Sequence, residues 1–167
     1  MKIRWLIYLV IGIVFGVFDF YFHSFISNVL VQGETFWTVL TYGVWLVPIV
    51  PIALYEVRIS KSRVRSALAS SSSWLVSIIF YYLYNAIQLG IIGRSTRPEL
   101  HISNHKDPFF WGNWKNVFWE DIVIRGIVEW SVVAVAGGFI VGFSVGFIYL
   151  RLEKLIKLGN TTNEEIK

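Results

Sequence analysis

The sequence predicts an all-α membrane protein: four transmembrane helices in a bundle, a short amphipathic helix at the outer leaflet, and both termini on the inner side. Three observations carry this expectation. The chain is 55% hydrophobic and 17% aromatic, with only 16% charged residues, where a soluble domain carries about 25%. Its apolar residues collect in four runs near the ~20 residues that a bilayer crossing needs. Its Lys and Arg residues lie in short groups beside those runs, where they act as topology determinants. The 167 residues suit a single integral domain, 1–167, with no Ser/Pro/Gly-rich linker to divide it.

The first helix is expected over about 5–27, as an apolar run interrupted only by the Asp19 and His23 of VFDFYFHSF. Its apolar part is longer than the ~7–15 residues of a signal peptide and lacks a small-residue cleavage site, so a retained helix is expected. At ~100° per residue, Gly12, Gly16, Asp19 and His23 fall on one stripe. Small residues at this spacing admit a neighbouring helix, which points the ionisable pair into the interior. With a rise of ~1.5 Å per residue, Asp19 sits roughly 21 Å from the inner end.

The second helix, about 36–56, contains Pro48 and Pro51 in WLVPIVPIALYE. Each lacks an amide donor, so a kink or break is expected. Glu56 and Arg58 at its inner end read as an interfacial charge pair. The third helix, about 67–90, places Ser66, Ser70, Ser73, Ser77, Tyr81, Tyr84 and Gln88 on one face. This polar seam reads either as interhelical hydrogen bonding or as the wall of a hydrated path.

A short interfacial helix is expected over about 108–119. Asp107 and Pro108 form an N-cap and first-turn pair, and Phe110, Trp114, Val117 and Phe118 share a face. It would lie in the headgroup layer as an aromatic anchor or a lid. The fourth helix, about 122–152, carries Ala134, Gly138, Gly142 and Gly146 at four-residue spacing, a packing stripe for another helix of the bundle or for a second copy. Arg125 and Glu129, on a different face, are spaced to pair with each other.

Orientation follows from the positive-inside rule. Arg58, Lys61, Arg63 and Arg65, with Arg151, Lys154 and Lys157, belong on the cytoplasmic side, and the link SNVLVQGET has no Lys or Arg. The expectation is therefore a multi-pass protein of a cell membrane with both termini cytoplasmic. The net charge of +4 is accounted for by this placement, so the partner is the lipid bilayer and not nucleic acid.

The absence of cysteine excludes disulfides, thiolate metal sites and Cys nucleophiles. All three histidines, His23, His101 and His105, fall on the outer side under this topology, as do Asp19, Asp107 and Glu129. Imidazole with carboxylate suits a Zn or Cu ion, and Asp19, His23, His101 and His105 are the candidate ligands. The competing reading has Asp19 and His23 bonded to each other. The chain has no HExxH, phosphate-binding Gly-rich loop or Gly-x-Ser-x-Gly elbow. ISNHKDPFF lacks the spacing of the NHxxxxD block of glycerolipid acyltransferases, since Asp107 is two residues after His105. Asp19 and His23 match part of the copper site in the membrane C subunit of copper monooxygenases, but that family requires a further His where this chain has Phe36.

Two functional classes remain. The first is a non-enzymatic transporter or channel-like unit, or an accessory subunit of a membrane complex, with a polar outer site formed by Asp19, His23, Glu129, Arg125, Tyr81, Tyr84, Asn85 and Gln88. Such a unit would form a homo-oligomer or join a partner membrane subunit through the stripe of Gly138, Gly142 and Gly146. The alternative is a membrane-embedded metal-binding enzyme or catalytic-complex subunit acting on an apolar or small substrate. Pure scaffolding, with each polar residue serving packing, is a third reading.

Overall fold

The computed structural model describes residues 2–29, 34–92 and 108–165, and among them every regular element is helical. Helix α1 runs Lys2–Val29, α2 Glu34–Gly43, α3 Leu46–Ser60 and α4 Arg63–Ile87, the last continuing as a π-helical turn over Gln88–Ile92. Helix α5, Phe110–Asn113, passes through a π-helical stretch, Trp114–Ile124, into α6, Arg125–Glu165.

Four helical segments are long and apolar enough to cross a membrane: Ile3–His23, Val39–Ser60, Arg63–Ile87 and Phe110–Lys157. This is compatible with a multi-pass membrane protein. Large apolar side chains also cover the outside, among them Leu6, Val10, Val14 and Phe18 on α1 and Val128, Val132 and Ile140 on α6. Water would not tolerate so continuous an apolar exterior.

Two boundaries differ from the expected ones. The run over about 36–56 is divided by a turn at Val44 and Trp45. The ring of Pro48 would clash with the carbonyl of Val44 in a continuous helix. The chain instead restarts at Leu46, with the Val47 amide on the Val44 carbonyl at 3.1 Å. Pro48 then occupies the first turn, where its missing amide has no intrahelical partner to lose. The second difference is that no separate helix covers 108–119: Phe110 opens a helix that continues unbroken to Glu165. Lys115, Glu120, Asp121 and Arg125 lower the local hydropathy without stopping a helical backbone. Asp107, the expected cap, lies outside the described residues.

Helix α4 is the element against which the others pack. It runs parallel to α1: the Ser73 hydroxyl donates to the Tyr8 carbonyl at 3.1 Å, and Ser77 to the Gly12 carbonyl at 2.8 Å. It runs antiparallel to α6, with Arg63 beside Gly146, Ser66 and Ala67 beside Gly142, Ser71 beside Gly138, and Tyr82 beside Gly126. The turn through Lys61 and Ser62 folds α3 back onto it, and the Ser66 hydroxyl lies 2.9 Å from the carbonyl oxygens of both Ala53 in α3 and Gly142 in α6. The apolar core gathers Phe15, Trp45, Ile49, Ile78, Tyr82, Phe118 and Val123.

The glycine stripe of α6 therefore packs within the chain. A Cβ on Gly142 would stand 2.7 Å from the Ser66 carbonyl oxygen, and one on Gly138 2.7 Å from the Ser71 Cα. Of the two partners expected for the stripe of Gly138, Gly142 and Gly146, another helix of the bundle or a second copy, the first is the one it meets. Small residues on both α4 and α6 let the two backbones meet, which leaves that stripe no room for another chain.

Ser66 is buried between three helices, whereas the more accessible Ser72 bonds only to the Leu68 carbonyl of its own helix. Ser66→Ala is expected to cost about 1 kcal/mol in detergent unfolding, given ~0.6–1.7 kcal/mol for a hydrogen bond between membrane helices. Ser72→Ala should leave the midpoint unchanged.

Candidate functional site

The parallel register of α1 and α4 brings the Asp19–His23 turn alongside Tyr81–Gln88. The Tyr21 and Tyr84 hydroxyl oxygens lie 2.5 Å apart, and the Gln88 side-chain amide donates to Tyr84 at 2.7 Å and to Tyr21 at 3.3 Å. Phe20 packs edge-on against Tyr84 at 5.2 Å, and the His23 ring meets the Tyr81 ring edge-on at 6.5 Å. Asn85 and Gln88 are buried, and Asp19 is only 6% exposed. Among the described residues no hydrogen bond or ion pair reaches the Asp19 carboxylate. The expected bond between Asp19 and His23 is therefore not formed.

Of the residues expected at the outer site, Asp19, His23, Tyr81, Tyr84, Asn85 and Gln88 all lie along this α1–α4 contact or directly beside it. Arg125 and Glu129 do not join them. They pair with each other at 2.9 Å on an open face of α6, with side chains 69% and 60% exposed. Their face of α6 is not the one occupied by Gly126, which the Tyr82 ring covers. No group of three His, Asp or Glu residues suited to a metal ion occurs among the described residues, and His101 and His105 lie outside them.

A second polar centre surrounds Glu56 at the other end of α1. Glu56 on α3 is 1% exposed; its Oε2 accepts from the Tyr8 hydroxyl at 2.7 Å and from the Arg4 guanidinium at 3.2 Å. Its Oε1 is buried without a hydrogen-bond partner among the described residues. The expected pairing of Glu56 with Arg58 is corrected: Arg58 stands exposed, and the partner comes from α1. The available signal was the four-residue spacing of Arg4 and Tyr8, which points two donors from one helical face.

No family model, characterised protein or solved structure matches this chain. Its chemistry is therefore read from its own geometry.

The two carboxylates are separated by the tightest part of the α1–α4 contact. A Cβ on Gly12 would stand 2.6 Å from the Ser73 carbonyl oxygen, and one on Gly16 would collide with the Ser77 carbonyl oxygen. Ser66, Ser71, Ser73 and Ser77 all direct their hydroxyls to backbone carbonyls of neighbouring helices. These hydroxyls are engaged in contacts between helices. Ser70 is the exception in the seam, buried with no hydrogen-bond partner for its hydroxyl among the described residues.

Proposed function

We propose that this chain is a non-enzymatic multi-pass membrane protein, a four-helix bundle with both termini cytoplasmic. In this reading it is a small transport unit or an accessory subunit of a membrane complex, and Asp19 is its working group at the outer end. One observation carries the reading: a carboxylate 6% exposed, with no cation bonded to it among the described residues, on a helix apolar enough to span a membrane. Ionisable groups in such a place are costly and mark proton or ion sites. Tyr21, Tyr84 and Gln88 form a hydrogen-bonded polar cluster on the same stretch of the α1–α4 contact, and in this reading it relays a proton or small cation to Asp19.

Gly12 and Gly16 close the direct route from Asp19 along the α1–α4 contact. The path proposed for the proton or cation therefore follows an outer face of the chain that a second subunit completes. With the α6 stripe occupied, that subunit docks elsewhere.

The test is flux of protons or monovalent cations into liposomes holding the protein with its native partners. Asp19→Asn is expected to reduce the rate at least tenfold, whereas Ser70→Ala and Glu129→Gln leave it unchanged. Wild-type flux in Asp19→Asn would overturn the assignment.

A further inference from the structure

At the end of the molecule where the α3–α4 turn meets α6, Arg63 and Arg151 converge on one ring. The Arg63 guanidinium carbon is 4.7 Å from the centre of the Phe147 ring and that of Arg151 is 5.0 Å from it. Gly146 makes this possible, because its missing side chain lets the Arg63 backbone approach to 3.2 Å of where a Cβ would stand. Two like charges gathered at one ring repel, and neither forms an ion pair with a carboxylate among the described residues. The nearby acid, Glu153, is already bound to Lys61 at 2.7 Å and to Lys157 at 3.3 Å. Arg58, Arg65 and Lys154 add positive charge at the same end. The pair of guanidiniums thus lacks an anion.

The surroundings indicate which anion. Exposed Val64 follows Arg63 directly in α4, and exposed Ile148 lies one turn before Arg151 in α6, so apolar surface adjoins both arginines. A ligand that suits this junction has a negative headgroup and hydrocarbon tails. A free anion would use only half of it. We propose that Arg63 and Arg151, gathered by Phe147, bind the phosphodiester of an anionic phospholipid, whose acyl chains lie along the neighbouring apolar surface. The proposal rests on the membrane reading given above.

The test is binding of phosphatidylglycerol and phosphatidylcholine to the purified, detergent-solubilised chain, followed by native mass spectrometry and by the thermal midpoint. Wild type is expected to retain phosphatidylglycerol at least tenfold more strongly than phosphatidylcholine. Arg63→Gln with Arg151→Gln should abolish the preference, and Lys115→Gln, which removes an exposed charge from the Trp114–Ile124 stretch before α6, should keep it. Phe147→Leu preserves both charges and disperses them, so it should weaken the preference even where the double variant folds poorly. Equal binding of the two lipids by wild type, or an unchanged preference in Phe147→Leu and the double variant, overturns the proposal. Displacement of the lipid by millimolar inorganic phosphate also overturns it, since the headgroup alone would then suffice. Extraction from membranes by alkali without detergent would instead defeat the membrane reading, which separates the two failures.

Discussion

Gly142→Val is expected to lower stability by about 3 kcal/mol or more, because the new side chain meets backbone and cannot be accommodated by rotating a neighbour. Its Cβ alone would fall 2.7 Å from the Ser66 carbonyl oxygen and 2.8 Å from the Ala67 Cα. Overpacking of this kind costs about 1–3 kcal/mol where side chains can shift, and more where helices must separate. Gly112 gives the opposite sign. Nothing lies within 4 Å of a Cβ at that position, and the residue is helical. Gly112→Ala should gain up to about 1 kcal/mol from helix propensity. Reversible unfolding in mixed detergent measures both, and a Gly142→Val protein as stable as wild type would refute the intimate α4–α6 contact.

Arg4→Met should be the most damaging change at a charged residue, with an expected loss of about 2–4 kcal/mol. Removing one partner of a buried ion pair strands the other, at about 3–5 kcal/mol when both are fully buried. The lower figure applies because the Arg4 side chain is 21% exposed and retains some solvation, while Glu56 is 1% exposed. Glu56→Gln in the Arg4→Met background removes the stranded charge and should recover more than half of the loss. A double-mutant cycle over these two positions reads the coupling directly. Additive effects would show that the pair contributes nothing beyond its separate members.

Much of the architecture was legible before any coordinates. Four apolar runs of spanning length require only hydropathy and length, and all four correspond to helical segments able to cross a membrane. The Gly12–Gly16 stripe was also readable, since four-residue spacing of small groups means close approach whatever the partner. The identity of a partner was not readable. Arg4 and Glu56 are 52 residues apart, and only the antiparallel approach of α1 and α3 joins them. Local sequence ranks only local neighbours, which is why it points to Arg58, two residues away. Arg125 and Glu129 illustrate the same limit. Their spacing gave their mutual pair correctly, yet which way that face of α6 turns depends on where α4 sits. The break expected near 120 is absent because Lys115, Glu120 and Asp121 lower hydropathy only, whereas helices end at caps and backbone conflicts.

The π-helical stretch over Trp114–Ile124 makes chain length itself a structural constraint. Phe118 and Val123 are both fully buried although five residues apart, a separation that an ordinary α-helix would swing to different faces. Here the Arg125 amide reaches back to the Glu120 carbonyl, five residues earlier, so the two side chains can share a face. The stretch works as a phase shifter between the glycine-lined part of α6 and the aromatic end that begins at Phe110. With its winding unchanged, deleting one residue from it would turn Phe110 by roughly 100° or slightly less relative to Gly126. Substitutions between these points alter single contacts, whereas an insertion or deletion turns the whole aromatic end.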